Sequence, residues 1–192
     1  MGVKARMNAA PSASSPSASS ATASSLPGSS SSALNRTVVS VSNGGAGLRV
    51  AIVVARWNSE ITLRLLDGAL AGLAAAGVDP TAVSVDWVPG AFELPLAAKT
   101  WAGSGRVDAV IALGCVIRGE TTHYESVAGE CARGIQDAQL ATGTPIAFGA
   151  LTVENLDQAL ARSQGPGGHN VGEDAAGVVV EMARLVSRVK GH

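Results

Sequence analysis

The stretch LRVAIVVARWNSEITLRLLDGALAGLAAAG, residues 48–77, decides the fold. Apart from Arg49, its first eight residues form an unbroken apolar run rich in β-branched side chains. A strand with one wet face alternates in polarity, so a run without alternation predicts a strand buried on both faces. Ser59 then offers an N-cap. Ile61, Leu65, Ala69 and Leu73 follow at helical spacing, with Leu66 and Leu70 beside them. That spacing predicts a helix to about residue 76, and Gly77 ends it.

The same alternation repeats outward. Residues 82–88 form a second predicted strand, and 91–101 a helix in which Pro95 is tolerable only in the first turn. A third buried strand is expected over 107–115 (VDAVIALGC), then a helix over about 122–142. A fourth strand at 145–151, a short helix at 154–162 and a closing helix at about 173–190 complete the series. Four strand–helix alternations with continuous apolar strands predict an α/β fold, a three-layer αβα sandwich on a four-stranded parallel sheet, flavodoxin-like in plan. Residues 37–41 (TVVSV) offer one extra strand outside the repeat, able to pair at an edge or on a neighbouring subunit.

Ahead of this domain the composition changes. Between residues 11 and 32, 12 of 22 residues are Ser, and Ala and Pro fill much of the rest. Such a segment buries too little apolar area to offset its ordering entropy, so residues 1–34 are expected to be a disordered tail before a domain at 35–192. Lys4, Arg6 and Arg36 are the charged residues of 1–46, and the first acidic residue is Glu60. The whole-chain net charge of −1 therefore combines a +3 start with a −4 remainder. An acid-free, Ser-rich start has the character of a plastid transit peptide, but its Arg is sparse, and a cytoplasmic location is the expectation.

At 192 residues, 46% apolar and with a mean hydropathy of +0.26, the chain has material for one real core. Near-neutral charge gives no reason to expect nucleic acid or a membrane surface as partner, and no apolar run has the length of a membrane span. The two cysteines, Cys115 and Cys131, exclude a disulfide scaffold and a four-Cys zinc site, and they share no ligand spacing with a His. No metal is assigned. Neither GxGxxG nor a P-loop is present, so a dinucleotide or ATP cofactor has no support.

In parallel sheets ligands bind beyond the carboxyl ends of the strands, which directs attention to the junctions after each strand. Trp57 follows the first strand, where an indole either stacks on a planar ligand or caps the edge of the core. Gly90 lets backbone approach a ligand closely, and the amides of Ala91 and Phe92 start a helix. Glu93 either accepts from ligand hydroxyls or simply favours the helix start. After the third strand, which ends in Cys115, Val116 and Ile117, comes Arg118-Gly119-Glu120-Thr121-Thr122-His123. Its Thr hydroxyls are N-cap candidates, and a helix N-terminus binds phosphate well. His123 falls in the first helical turn, where the dipole favours the neutral imidazole suited to acid/base work; a plain surface His is an equal reading. Phe148 is core by default, and Arg162 a solvated charge at a helix end.

Four strings, RWN at 56–58, VPGAFELP at 88–95, LGCVIRGETTHYE at 113–125 and PIAFGALTVENLDQALAR at 145–162, together resemble the lumazine synthase (6,7-dimethyl-8-ribityllumazine synthase) family, in its order and spacing over about 48–190. The resemblance implies condensation of 5-amino-6-(D-ribitylamino)uracil with 3,4-dihydroxy-2-butanone 4-phosphate in riboflavin biosynthesis, without metal or organic cofactor. It implies that Trp57 stacks on the pyrimidine, that Ala91, Phe92 and Glu93 hold the ribityl side, and that the Cys115, Val116 and Ile117 backbone reads the pyrimidine edge. It places Glu120 and Thr121 at the phosphate and His123 as proton donor. Phe148 and Arg162 are implied to come from an adjacent subunit, in a homopentamer or a pentamer-based shell, with riboflavin synthase a further partner.

The chain departs from the family after Arg162. There SQGPGGHNVGEDAA stands where a shorter turn with a Lys is common, which makes His169 a candidate substitute, or leaves a loop with no ligand role. A flavin- or lumazine-binding module without turnover, and a shell protein that has lost catalysis, are the alternatives of other classes; the intact junctions favour the enzyme. Removal of residues 1–34 is expected to leave the melting transition and the activity unchanged. A lower melting temperature or lost turnover in the truncated chain would show that the tail belongs to the working domain.

Overall fold

The computed structural model describes residues 44–191; the 1–34 tail and residues 37–41 lie outside the described residues. The first strand, β1 (Val50–Ala55), is buried at every position, as its unalternating sequence requires. It leads into α1 (Ser59–Ala75), then β2 (Val83–Val88), α2 (Leu94–Ala102), β3 (Ala109–Ile117), α3 (His123–Thr142), β4 (Ile146–Val153), α4 (Leu156–Ala161) and α5 (Val171–Lys190).

All pairings are parallel and the strand order is β2-β1-β3-β4. Alternate residues of the central strands feed two separate cores. Val50, Ile52, Val54, Ile111 and Leu113 pack with α1 and α5 on one face. Ala51, Val53, Val110 and Ala112 pack with α2 and α3 on the other. The expected three-layer α/β sandwich, with its flavodoxin-like order, is therefore what the chain builds.

The sequence reading differs from the structure in a few local places. The N-cap of α1 is Asn58, not Ser59, and its side chain makes no cap bond. The helix expected over 91–101 is split: Ala91–Glu93 is a 3-10 turn, and α2 begins after it with Pro95 in its first turn, where the missing N–H costs nothing. β3 continues to Ile117 and β4 to Val153, each two residues beyond expectation, because their pairing with each other persists that far.

The departing loop after α4 has a structural explanation. Asn170 is buried, and its Nδ2 donates to Arg64 O at 3.0 Å and to Gln164 O at 2.9 Å. Its Oδ1 accepts from Gly172 N–H at 2.9 Å and caps α5. One amide thus fastens the loop to α1 and starts the last helix. The close approach leaves no room for side chains at two glycines. A Cβ on Gly68 would meet the Asn170 amide, and one on Gly172 would be driven into the Leu65 carbonyl. Gly172→Ala is expected to destabilise the domain by about 2 kcal/mol or more, because the obstacle is backbone rather than a side chain that can turn away. That corresponds to a melting midpoint lower by ~5 °C or more. A thermal melt within a degree of wild type would mean that α1 and α5 are not pressed together there.

Candidate active site

The order β2-β1-β3-β4 places a switch point between β1 and β3. The chain leaves β1 toward β2 with α1 on one face, and reaches β3 and then β4 with α2 and α3 on the other. A crevice opens at the carboxyl ends of strands at such a point. A cleft of about 550 Å³ lies there. Three of the four strand-to-helix junctions line it: Trp57 and Asn58 after β1, Pro89 to Glu93 after β2, and Gly119, Thr121 and His123 after β3. Tyr124, Ser126 and Val127, from the first turns of α3, complete the wall.

Trp57 is 74% exposed and Phe92 58% exposed, so neither serves the core. Two large aromatic side chains held in water at one cleft form an apolar binding surface. The Trp57 N–H donates to Pro89 O at 3.3 Å, tying the first two junctions together. Gly90 lies below the indole, since a Cβ there would sit 3.9 Å from Trp57 Cδ1. The Glu93 carboxylate is fixed by its own turn: Oε2 accepts from Gly90 N–H at 2.9 Å. Its remaining lone pairs can accept from a ligand.

Cys115 contributes backbone, not sulfur. Its side chain is buried in the core against α1 and α5, and burial pushes the thiol up to about 11, so it is no thiolate nucleophile at neutral pH. Its carbonyl accepts from Asn58 Nδ2 at 2.8 Å. Val116 and Ile117 carry the strand end onward into the cleft wall.

The turn before α3 differs from the simplest capping scheme. Thr122 stands at the N-cap position with no side-chain bond, while Thr121 Oγ1 accepts from His123 N–H at 3.4 Å. His123 is the first residue of α3, exposed and facing the cleft. Glu120 is exposed and does not line the cleft; its neighbours Gly119 and Thr121 do.

Arg118 was not singled out by spacing. Its guanidinium reaches Glu125 on α3 and Glu154 after β4, the latter at 2.7 Å, and lies over the Tyr124 ring at 4.2 Å. The pair with Arg118 holds the Glu125 carboxyl below its ordinary range. Arg118 lies outside α3, and its partners come from that helix and from the connection after β4, so only folding brings the three together. With Arg118 so engaged, no Lys or Arg lines the cleft among the described residues.

Phe148 and Arg162 do not line this cleft. Phe148 is 41% exposed on β4, an edge strand, rather than core. The Arg162 guanidinium donates to Gln158 O at 3.0 Å at the end of α4. His169 pairs with Asp174 Oδ2 at 3.1 Å, beside the start of α5.

A family model for 6,7-dimethyl-8-ribityllumazine synthase matches residues 47–187. The match takes in the whole sheet and every junction at its carboxyl end, and the chain belongs to this family of transferases, which form lumazine in riboflavin biosynthesis.

Proposed function

We propose that the cleft condenses 5-amino-6-(D-ribitylamino)uracil with 3,4-dihydroxy-2-butanone 4-phosphate to 6,7-dimethyl-8-ribityllumazine, releasing one phosphate and two waters. The observation that carries this reading is the convergence of three junctions with different chemistry on one cleft. Trp57 supplies a face for the pyrimidine ring, and Phe92 shelters its side. Glu93, with one oxygen on Gly90 N–H, accepts from the ribityl hydroxyls with the other. The peptide groups of Cys115, Val116 and Ile117 meet the polar edge of the ring. An amine of the pyrimidine attacks the ketone, and loss of water gives a Schiff base. Phosphate leaves, the second amine closes the ring, and the second water departs. His123, at the turn where phosphate would lie, moves protons in these steps. Holding both substrates together supplies much of the remaining acceleration.

Charge supports a shared site. The phosphate substrate is anionic, yet the cleft lining offers no Lys or Arg, and Arg118 is committed to Glu125 and Glu154. Thr121 and the amides of the Glu120–Thr121 turn supply dipoles but no fixed positive charge. The reading that completes the site is a second copy of the chain, with its Arg162 on the phosphate and its Phe148 against the ring. Arg162 and Phe148 are exposed and lie away from their own cleft, as such a donation requires. A ring of five copies is the arrangement proposed, closed into a larger shell or not, and riboflavin synthase is a proposed associate.

The reaction is tested by mixing the purified chain with both substrates and following lumazine fluorescence and phosphate release. Product no faster than the spontaneous background would end the proposal. Arg162→Ala is expected to raise the KM for the phosphate substrate about tenfold, the loss of a charge-assisted contact, with pyrimidine binding little changed. An unchanged KM removes Arg162 from the site. His123→Ala is expected to slow turnover roughly 10- to 100-fold without abolishing it, since positioning survives. Turnover at the wild-type rate would take His123 out of the proton transfers.

A further inference from the structure

β3 outruns its neighbour on one side. Its pairing with β1 stops at Val54 and Leu113, whereas its pairing with β4 continues to Ile117 and Val153. Arg118 N–H donates to Val153 O, so the even-numbered residues at this end of β3 turn toward β4. Alternation then turns the peptide groups of Cys115 and Ile117 toward the gap that β1 leaves. Asn58 fills the first vacant position: its Nδ2 donates to Cys115 O at 2.8 Å, across 57 residues of sequence.

Asn58 reaches that carbonyl from an unusual backbone. It is the one non-glycine residue with positive φ among the described residues, at φ 57° and ψ 45°. Asn tolerates this conformation better than most residues, and the strain has a return only if the side chain is used. The side chain is not spent on its own helix, which it leaves without a cap bond. The Asn58 carbonyl instead accepts from Ile61 and Thr62 N–H, and Thr62 Oγ1 donates to Ala55 O at 2.9 Å in the buried interior. Two side-chain bonds, from Thr62 to β1 and from Asn58 to β3, therefore close the ladder at the point where the cleft begins. Trp57, the aromatic wall, is the residue directly before Asn58.

We propose that Asn58 is a positioning residue for the pyrimidine side of the cleft. Its amide locks the β1–α1 junction to the end of β3, and so fixes the distance between the Trp57 indole and the open peptide groups of β3. A planar heterocycle must meet both at once. The role rests on the pyrimidine reading proposed above.

The test separates the amide from the backbone strain. Asn58→Gly keeps positive φ without steric cost and removes only the side chain. Asn58→Asp keeps the shape but sets an acceptor against the Cys115 carbonyl. Binding of 5-amino-6-(D-ribitylamino)uracil alone is read from quenching of tryptophan fluorescence, beside the melting midpoint and the KM of each substrate. N58G is expected to fold and to bind the pyrimidine about tenfold more weakly, with N58D weaker still. The KM for the phosphate substrate should stay within about twofold of wild type in N58G. Wild-type affinity in N58G overturns the role. An equal rise in both constants with a lowered melting midpoint also overturns it, because general loosening would act on both subsites alike. A wild-type chain that binds no pyrimidine overturns the proposed function itself, and this role falls with it.

Discussion

The cleft exists because β1 ends before β3 does. Inside a parallel sheet every peptide group is consumed by a neighbouring strand, so a binding surface made of backbone needs a strand end that is left unpaired. The ladder between β1 and β3 stops at Val54 and Leu113, and four further residues of β3 are held from the β4 side. The change of direction in strand order falls at this same boundary, so no helix covers the gap. Trp57, Glu93 and His123 matter as a group because three connections, each leaving its strand at the same end, are obliged to surround that gap.

The central strands were legible because of where they lie. β1 and β3 are covered on both faces, which removes polarity alternation and leaves runs such as VAIVVA and AVIALGC. β2 is an edge strand and carries Ser84, Asp86 and an exposed Trp87, a weaker pattern, though the strand expected over 82–88 is found at Val83–Val88. The break after residue 93 was not legible. Pro95 asks for a helix start close to it, but nothing in Ala-Phe-Glu announces the 3-10 turn before it, which the Glu93 carboxylate fixes by reaching back to Gly90 N–H. Asn58 was passed over for a related reason. Capping statistics describe a residue by its own helix, and both Asn58 and Ser59 suit that rule, whereas the partner Asn58 chooses is on another strand.

The site residues divide along the same line. Trp57 stood out as an aromatic where a turn ordinarily carries a small polar residue, and its exposure agrees with that oddity, whereas Phe92, also exposed, was marked by the resemblance alone. Phe148 and Arg162 carry no such signal. An aromatic in a strand reads as core and an arginine at a helix end reads as a cap, and the single chain gives Arg162 that second role, on Gln158 O. Their likeness to family positions came from whole strings of sequence, not from any local rule. The loop after Arg162 shows the converse. Its Gly/Pro-rich composition suggested looseness, yet buried Asn170 fastens it through three hydrogen bonds. His169 spends its Nε2 on Asp174, so as a substitute for a phosphate-facing lysine it would first have to give up a carboxylate.

That competition between carboxylates and anions runs through the whole end of the sheet. Arg118 stands one residue before the Gly119–Thr122 turn, and as an isolated cation it would be the natural phosphate ligand. Glu125 and Glu154 take it from either side, and the Tyr124 ring takes its face. With Nη1 on Glu125 and Nε on Glu154, Arg118 braces the start of α3 against the junction after β4. Two carboxylates, Glu125 and Glu154, thus share the one guanidinium of Arg118. An anion there meets the N–H groups at the start of α3 but no free guanidinium from Arg118. A site built on this sheet end therefore has oriented dipoles of its own, while Arg118, one residue before the turn, is committed to structure, and it is this commitment that the proposed sharing of the site between copies answers.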